Sequence, residues 1–395
     1  MGGNSDQSNP YAWTRTQSKI SNMKKKFLVL LFSLAFIGSS FSVLASSNVK
    51  AGATCKKVGV TSTALGKTHT CIKSGRKLIW NKGVSKSSVN VPISVPVDIP
   101  ISLDNLDVKG VPQKAYSNVI KVLNSRPRAS LEPTKFLGAN VAQARVNQEL
   151  VGLERAIDLW APYFQPNKFQ VVYVVDGDDD WLEKKSSELG LGTMVPPGQT
   201  WSMNMKMFSP CGFAMAGTGN GVPTFVQCLG RPYSGGDRQT GPHEYTHLFQ
   251  LSYGGSNGYR IPWYLEGSAS YFGWTLGFHP FDPISAERKS WLSTLYQNMS
   301  TYSKSSFQSK DLQRFKNAMK SLTPSPDQSI ANTSYWAGGL ATEVLVALYG
   351  FDKFVEFTKN IQTSPDMSSL LKQTYGFDED YFYEKLAPYV WAQMP

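Results

Sequence analysis

Gly241-Pro242-His243-Glu244-Tyr245-Thr246-His247-Leu248-Phe249 is the stretch on which the reading of this chain turns. It contains the pattern HExxH. On a helix, residues four apart share a face, so the imidazoles of His243 and His247 can reach one metal ion. Glu244 then projects beside them, next to the position of a metal-bound water. The chain has only 4 His and 12 Glu among 395 residues. Random placement would produce this spacing in about one such chain in a thousand, so a pair of ordinary surface histidines is the poorer explanation.

Further along, Pro262-Trp263-Tyr264-Leu265-Glu266-Gly267-Ser268-Ala269-Ser270-Tyr271 reads as a helix opened by a proline and lined with aromatic residues. Glu266 falls on its apolar side. A buried carboxylate left unpaired costs several kcal/mol, so it needs a cation. A metal held by His243 and His247 would supply one; an ion pair with Arg260 is the plainer alternative. Two His and one Glu with a fourth position open to water form a catalytic zinc set. A third His at the short spacing of the metzincins does not follow.

Together these segments resemble the gluzincin metallopeptidases. Eighteen residues separate His247 from Glu266. Trp263-Tyr264-Leu265-Glu266-Gly267-Ser268-Ala269 matches the W-x-x-E-G-x-A segment of the aminopeptidase N-like branch. The resemblance spans roughly residues 200–395 and is close over 240–275. It implies one Zn2+ on His243, His247 and Glu266, with Glu244 activating water. It further implies an oxyanion donor at Tyr335, because Ser334-Tyr335-Trp336-Ala337-Gly338-Gly339 matches the Y-x-x-G setting of that branch. Gly338 and Gly339 would let this segment come close to the site. The strand Pro223–Leu229 would be the sheet edge along which substrate lies. Two features depart from the family. Cys211-Gly212-Phe213-Ala214-Met215-Ala216-Gly217 carries no counterpart of the GAMEN glutamate, which places aminopeptidase activity in doubt. Thermolysin-like members have an Asp four residues after the third ligand; here Ser270 stands there, as a weaker partner for a ligand histidine.

The chain carries a formal net charge of +11. Residues 1–104 hold 14 Lys and Arg against 3 Asp and Glu, and the remainder holds 26 of each. The basic character therefore belongs to the N-terminal region. Such a foot suits an anionic cell-envelope polymer, whereas a solvated module behind a targeting signal explains it more simply. The balanced main domain gives no reason to expect nucleic acid, and a monomer is expected. Met23-Lys24-Lys25-Lys26, an apolar run from Phe27 and Val43-Leu44-Ala45 are laid out as a secretory signal cleaved near Ala45. The expectation is a secreted or envelope-associated protein. Four cysteines in an exported chain imply two disulfides. Pairing within segments gives Cys55–Cys71 and Cys211–Cys228.

The expected organisation is an extension and signal over 1–45, a small basic cysteine-containing module over 46–83, a Pro/Ser/Val linker over 84–104 and the main domain over 105–395. In the module, Val58–Val60, His69–Ile72 and Lys77–Trp80 read as strands. In the main domain, Ala139–Pro162 and Asp178–Leu189 read as helices, and Phe169–Val175, Thr200–Met207 and Pro223–Leu229 as strands. Beyond Thr240 the pattern is helical, with Gly350 and Gly376 as stops and Asp352 and Asp378 as caps. This is an α+β, zincin-type arrangement: a small mixed sheet, an active-site helix, then a helical subdomain. Asp176, Asp178 and Asp180 are spaced like the start of a calcium loop, but Trp181 occupies the required Gly position, so they read as a strand-to-helix turn. His279 reads as a structural loop histidine. The function expected is zinc-dependent hydrolysis of a peptide or protein substrate. The alternatives are a catalytically inert envelope-binding protein, or action on a non-peptide bond, on the same framework.

Overall fold

The computed structural model describes residues 50–64, 67–82, 84–85, 101–209, 211–230, 238–254, 261–277, 286–322 and 328–395. The signal over 1–45, most of the linker, Arg260 and His279 lie outside them. The chain divides into two compact units, with the boundary at residue 100, four residues before Asp104.

The small unit is a four-stranded antiparallel sheet. It comprises β1 (Thr61–Ala64), β2 (Lys67–Ser74), β3 (Lys77–Trp80) and β4 (Val84–Ser85). The first strand starts at Thr61; Val58–Val60, expected to be extended, forms the turn before it. There Gly59 adopts φ +84°, which L-residues with a Cβ rarely accept. Cys55–Cys71 closes as expected. With Trp80 these cysteines form a minimal core, too small to stand without the covalent link.

The large unit opens with α1 (Gly110–Ser125), β5 (Thr134–Leu137), α2 (Gln143–Trp160), β6 (Gln170–Val174) and α3 (Asp179–Leu189). Then come α4 (Trp201–Met207), β7 (Ala214–Gly219) and β8 (Val222–Cys228). The strand order is β5-β6-β8-β7. The first three pair in parallel and β7 is antiparallel to β8. Two segments fold differently from what their sequences suggest. Thr200–Met207 is a helix, because Thr200 caps it by accepting the N–H of Met203 at 3.1 Å. Its buried residues Trp201 and Met205 are four apart, a helical spacing. Pro223–Leu229, expected at the sheet edge, is internal; the edges are β5 and Ala214–Gly219, the latter pairing with it. Asn220 and Gly221, both at positive φ, turn β7 directly onto β8, which is the backbone a two-residue hairpin requires.

Alternation along the strands sorts the sheet into two faces. Val172, Val174, Met215, Val226 and Cys228 pack with α3 and α4 in a minor core, where Cys211–Cys228 is joined. Val171, Tyr173 and Phe225 face the main core and the helices beyond. At the β6–α3 turn Asp178 is 1% exposed. It accepts N–H bonds from Val175 at 3.0 Å and Asn140 at 3.1 Å, while Asp176 accepts from Cys211 at 2.8 Å. These acids pin backbone, in keeping with the strand-to-helix reading.

The remaining chain is helical: α5 (Thr240–Gly254), α6 (Pro262–Gly277), α7 (Ala286–Gln297), α8 (Thr301–Gln308), α9 (Leu312–Lys320) and α10 (Gln328–Thr333). A π-helical turn over Ser334–Gly338 leads into α11 (Gly339–Asn360), followed by α12 (Met367–Tyr375) and α13 (Glu379–Ala392). Gly350 interrupts α11 at φ 82°, where the sequence places a stop. Gly376 ends α12 in the left-handed region and Asp378 caps α13. Arg288 of α7 forks onto Glu343 of α11 at 2.6 and 3.1 Å, and Tyr389 of α13 donates to the same carboxylate at 2.7 Å. No helix among the described residues is long and apolar enough to cross a membrane.

Candidate metal centre

Helix α5 is buried along almost its whole first three turns, from Thr240 to Gln250. Gly241 and Gly152 permit this by letting α2 approach: a Cβ on Gly152 would lie 2.3 Å from the carbonyl oxygen of Arg238 and 2.9 Å from Pro242. Trp160 stacks on Phe249 at 4.0 Å and donates its indole N–H to Thr246 at 3.2 Å. Thr246 donates to the Pro242 carbonyl at 2.8 Å. The outward side of HExxH is thereby spent on packing, and both histidines are left facing α6.

On α6, Glu266 meets them. The Nε2 atoms of His243 and His247 are 3.0 Å apart, and Glu266 Oε2 lies 3.4 and 3.5 Å from them. Exposures are 3%, 9% and 5% for His243, His247 and Glu266, so water does little to separate these groups. Their donor atoms all fall within 4.8 Å of one another, and they are the only such group of metal-ligating side chains among the described residues. Among the described residues neither oxygen of Glu266 has a partner in good hydrogen-bond geometry, the two imidazoles being its nearest polar neighbours. A buried carboxylate without one, beside two imidazole nitrogens, has the donor chemistry and spacing of a divalent metal site. Glu244, 2% exposed, places Oε1 4.0 Å from His243 Nε2.

The electrostatics follow from burial and proximity. Burial opposes charge on Glu266, but the two imidazoles outweigh it and hold the carboxyl well below its usual range. For His247 burial also disfavours charge, yet Glu266, with Glu244 and Gln250, raises it to about 9. A cation held by these three groups would compete with the proton on His247.

Tyr335 reaches the same place from the π-helical turn. Its ring stands edge-on to His243 with centroids 5.7 Å apart. The approach depends on glycine: a Cβ on Gly267 would lie 2.2 Å from the carbonyl carbon of Gly338, and one on Gly338 would lie 2.3 Å from the carbonyl oxygen of Trp263. The expectation that Gly338 admits a close approach is thus met, while Gly339 makes room for the Trp274 ring. A π turn adds one residue to the helical repeat and turns the side chains that follow.

Ser270, offered by sequence as the partner of a ligand histidine, is buried on α6 and makes no hydrogen bond to either imidazole among the described contacts. The partner of His247 is Gln250, whose Oε1 lies 2.7 Å from Nδ1. Sequence reasoning passed over Gln250, although its place three residues after His247 on one helix face was the available signal.

Comparison with models of protein families, with curated proteins and with solved structures finds no match to this chain.

Proposed function

We propose that this protein is an exported, zinc-dependent peptidase. The observation that carries the reading is the convergence of buried His243, His247 and Glu266 from two helices, with Glu244 beside them. When bound, zinc would polarise the scissile carbonyl and acidify a water molecule. Glu244 takes the proton of the attacking water and passes it to the leaving amine. Tyr335 donates its hydroxyl to the carbonyl oxygen as negative charge builds there. Strand β7 presents the sheet edge beside α5, and an extended substrate can pair with such an edge. Support for export comes from the two disulfides, which persist in oxidising compartments. Between 46 and 83 the small unit has Lys50, Lys56, Lys57, Lys67, Lys73, Arg76, Lys77 and Lys82 and no acidic residue, a composition suited to anionic envelope polymer.

The test is metal analysis of the purified mature protein beside cleavage of an unfolded protein with and without chelator. About one zinc per chain and chelator-sensitive cleavage are expected. Glu244→Gln should keep the metal and the fold and lose activity by several orders of magnitude, since an amide cannot accept the proton. Cleavage within tenfold of wild type would remove Glu244 from this role. Zinc without hydrolysis of any peptide would favour an inert or non-peptide-acting framework.

A further inference from the structure

The side chain of Gln250 is 2% exposed and spans the two helices that carry the metal ligands. Its nitrogen lies 2.9 Å from the carbonyl oxygen of Leu265 and 2.7 Å from Ser268 Oγ, both on α6. Ser268 Oγ in turn donates to the Tyr264 carbonyl at 2.7 Å. A backbone carbonyl can only accept, so the amide nitrogen must face α6. The amide oxygen is then the atom 2.7 Å from His247 Nδ1. An amide oxygen can only accept, so Nδ1 must carry hydrogen. That leaves Nε2 as the atom that can offer a lone pair, and Nε2 is the atom that faces His243 and Glu266.

We infer that Gln250 is the positioning residue of the metal centre: it fixes the tautomer of His247 and ties the helix bearing both histidines to the residue preceding Glu266. The inference rests on the proposed metal site and names the group that orients it. Two halves of one amide do separate work. The oxygen presents Nε2 to the metal, and the nitrogen sets the spacing between α5 and α6. A ligand histidine is commonly oriented by a carboxylate or a backbone carbonyl, and loss of such a partner lowers metal affinity about 10–100-fold. Here a neutral amide does this, so the partner of His247 adds no charge to the site. An amide also serves two helices at once, because it donates as well as accepts; a carboxylate would only accept.

Two substitutions separate these halves. Gln250→Met keeps the length of the side chain and removes both the acceptor and the donor. Gln250→Glu keeps an acceptor for Nδ1 and removes the donor to Leu265. Zinc dissociation constants would be measured by competition with a chelator of known affinity, and cobalt(II) spectra would report ligand geometry. Thermal unfolding of the metal-free proteins would report stability separately. Both variants should lose stability. Gln250→Met should bind zinc about 10–100-fold more weakly and show an altered cobalt spectrum, whereas Gln250→Glu should stay within about threefold of wild type. Unchanged affinity in Gln250→Met would overturn the inference and leave Gln250 as packing, as would equal weakening in both. Should Gln250→Met fail to fold, nitrogen-15 NMR of the zinc-bound wild type decides: hydrogen on His247 Nδ1 with Nε2 on the metal supports the assignment, and the reverse arrangement refutes it. A wild-type protein that binds no zinc would sink the metal site itself, an outcome distinct from wild-type binding with indifferent variants.

Discussion

His243, His247 and Glu266 crowd three ionisable groups into a space where the closest nitrogens are 3.0 Å apart. Such a cluster is stable only when its charges balance, because desolvation would otherwise cost several kcal/mol per ion. Without metal the balance is a proton on His247 against the Glu266 carboxylate. Tyr335, 3% exposed and set against the His243 ring, is the residue whose role is open to the sharpest test. Tyr335→Phe removes one hydroxyl and leaves the ring, so metal content and unfolding temperature should hold. If the hydroxyl donates to the developing oxyanion, kcat should fall on the order of 10²–10³ with little change in KM. Steady-state kinetics on a peptide substrate measure this; an unchanged kcat would reduce Tyr335 to a packing residue.

At the scale of elements, Tyr335 reaches the site because α6 and the π-helical turn touch backbone to backbone at Gly267 and Gly338. The atoms a new methyl would strike are main-chain atoms, which cannot rotate aside. Gly267→Ala should therefore destabilise the large unit by about 1–3 kcal/mol or more, despite the better helix propensity of alanine. It should also push Tyr335 away from His243 while leaving the HExxH helix intact. Chemical denaturation gives the first effect. The second is a fall in kcat in the folded variant with zinc still bound, and full activity in that variant would show that the close approach is not what aims Tyr335. The hairpin of β7 and β8 illustrates the same dependence on local backbone, since Asn220 and Gly221 supply the positive φ values its turn needs.

For the whole molecule, the shifted groups predict how stability varies with pH and metal. The pKa of Glu266 is depressed, so its contribution is present above the ordinary carboxylate range and is lost only in strong acid. The pKa of His247 is raised from 6.5 to about 9. Its contribution is complete below 6.5 and disappears as pH rises through about 9. The unfolding temperature of the chelated protein should consequently fall between those two values. Zinc should reverse the trend, since it competes with the proton and binds more tightly as His247 deprotonates. At a hundredfold excess over its dissociation constant, zinc should add about 2.7 kcal/mol. Calorimetry across this window, with and without chelator, checks the sign; a flat chelated curve would mean that His247 is not charged in the metal-free state. For the chain as a whole, we expect the mature protein to begin near Ser46, and N-terminal sequencing from the native host would detect retention of 27–45.

Much of this protein was determined by short-range patterns that any reader of the chain can see. The i and i+4 spacing put His243 and His247 on one face, Glu266 stood out as an acid on an apolar helix, and local cysteine pairs closed as their separations implied. Helix limits at Gly376 and Asp378 followed from backbone preference and capping. Those are one-dimensional properties, because the interacting groups are near in sequence or carry an unmistakable chemical need. Tertiary structure alone decided the rest. The order β5-β6-β8-β7 makes Ala214–Gly219 one of the two edges, though its small residues look little like a strand, because pairing and a following hairpin turn outweighed weak propensity. Thr200–Met207 became helical through a cap and a buried face that only the minor core supplies. Gln250 rather than Ser270 supports His247 because which of two polar side chains reaches an imidazole depends on the distance between packed helices, and no periodicity in the chain encodes that distance.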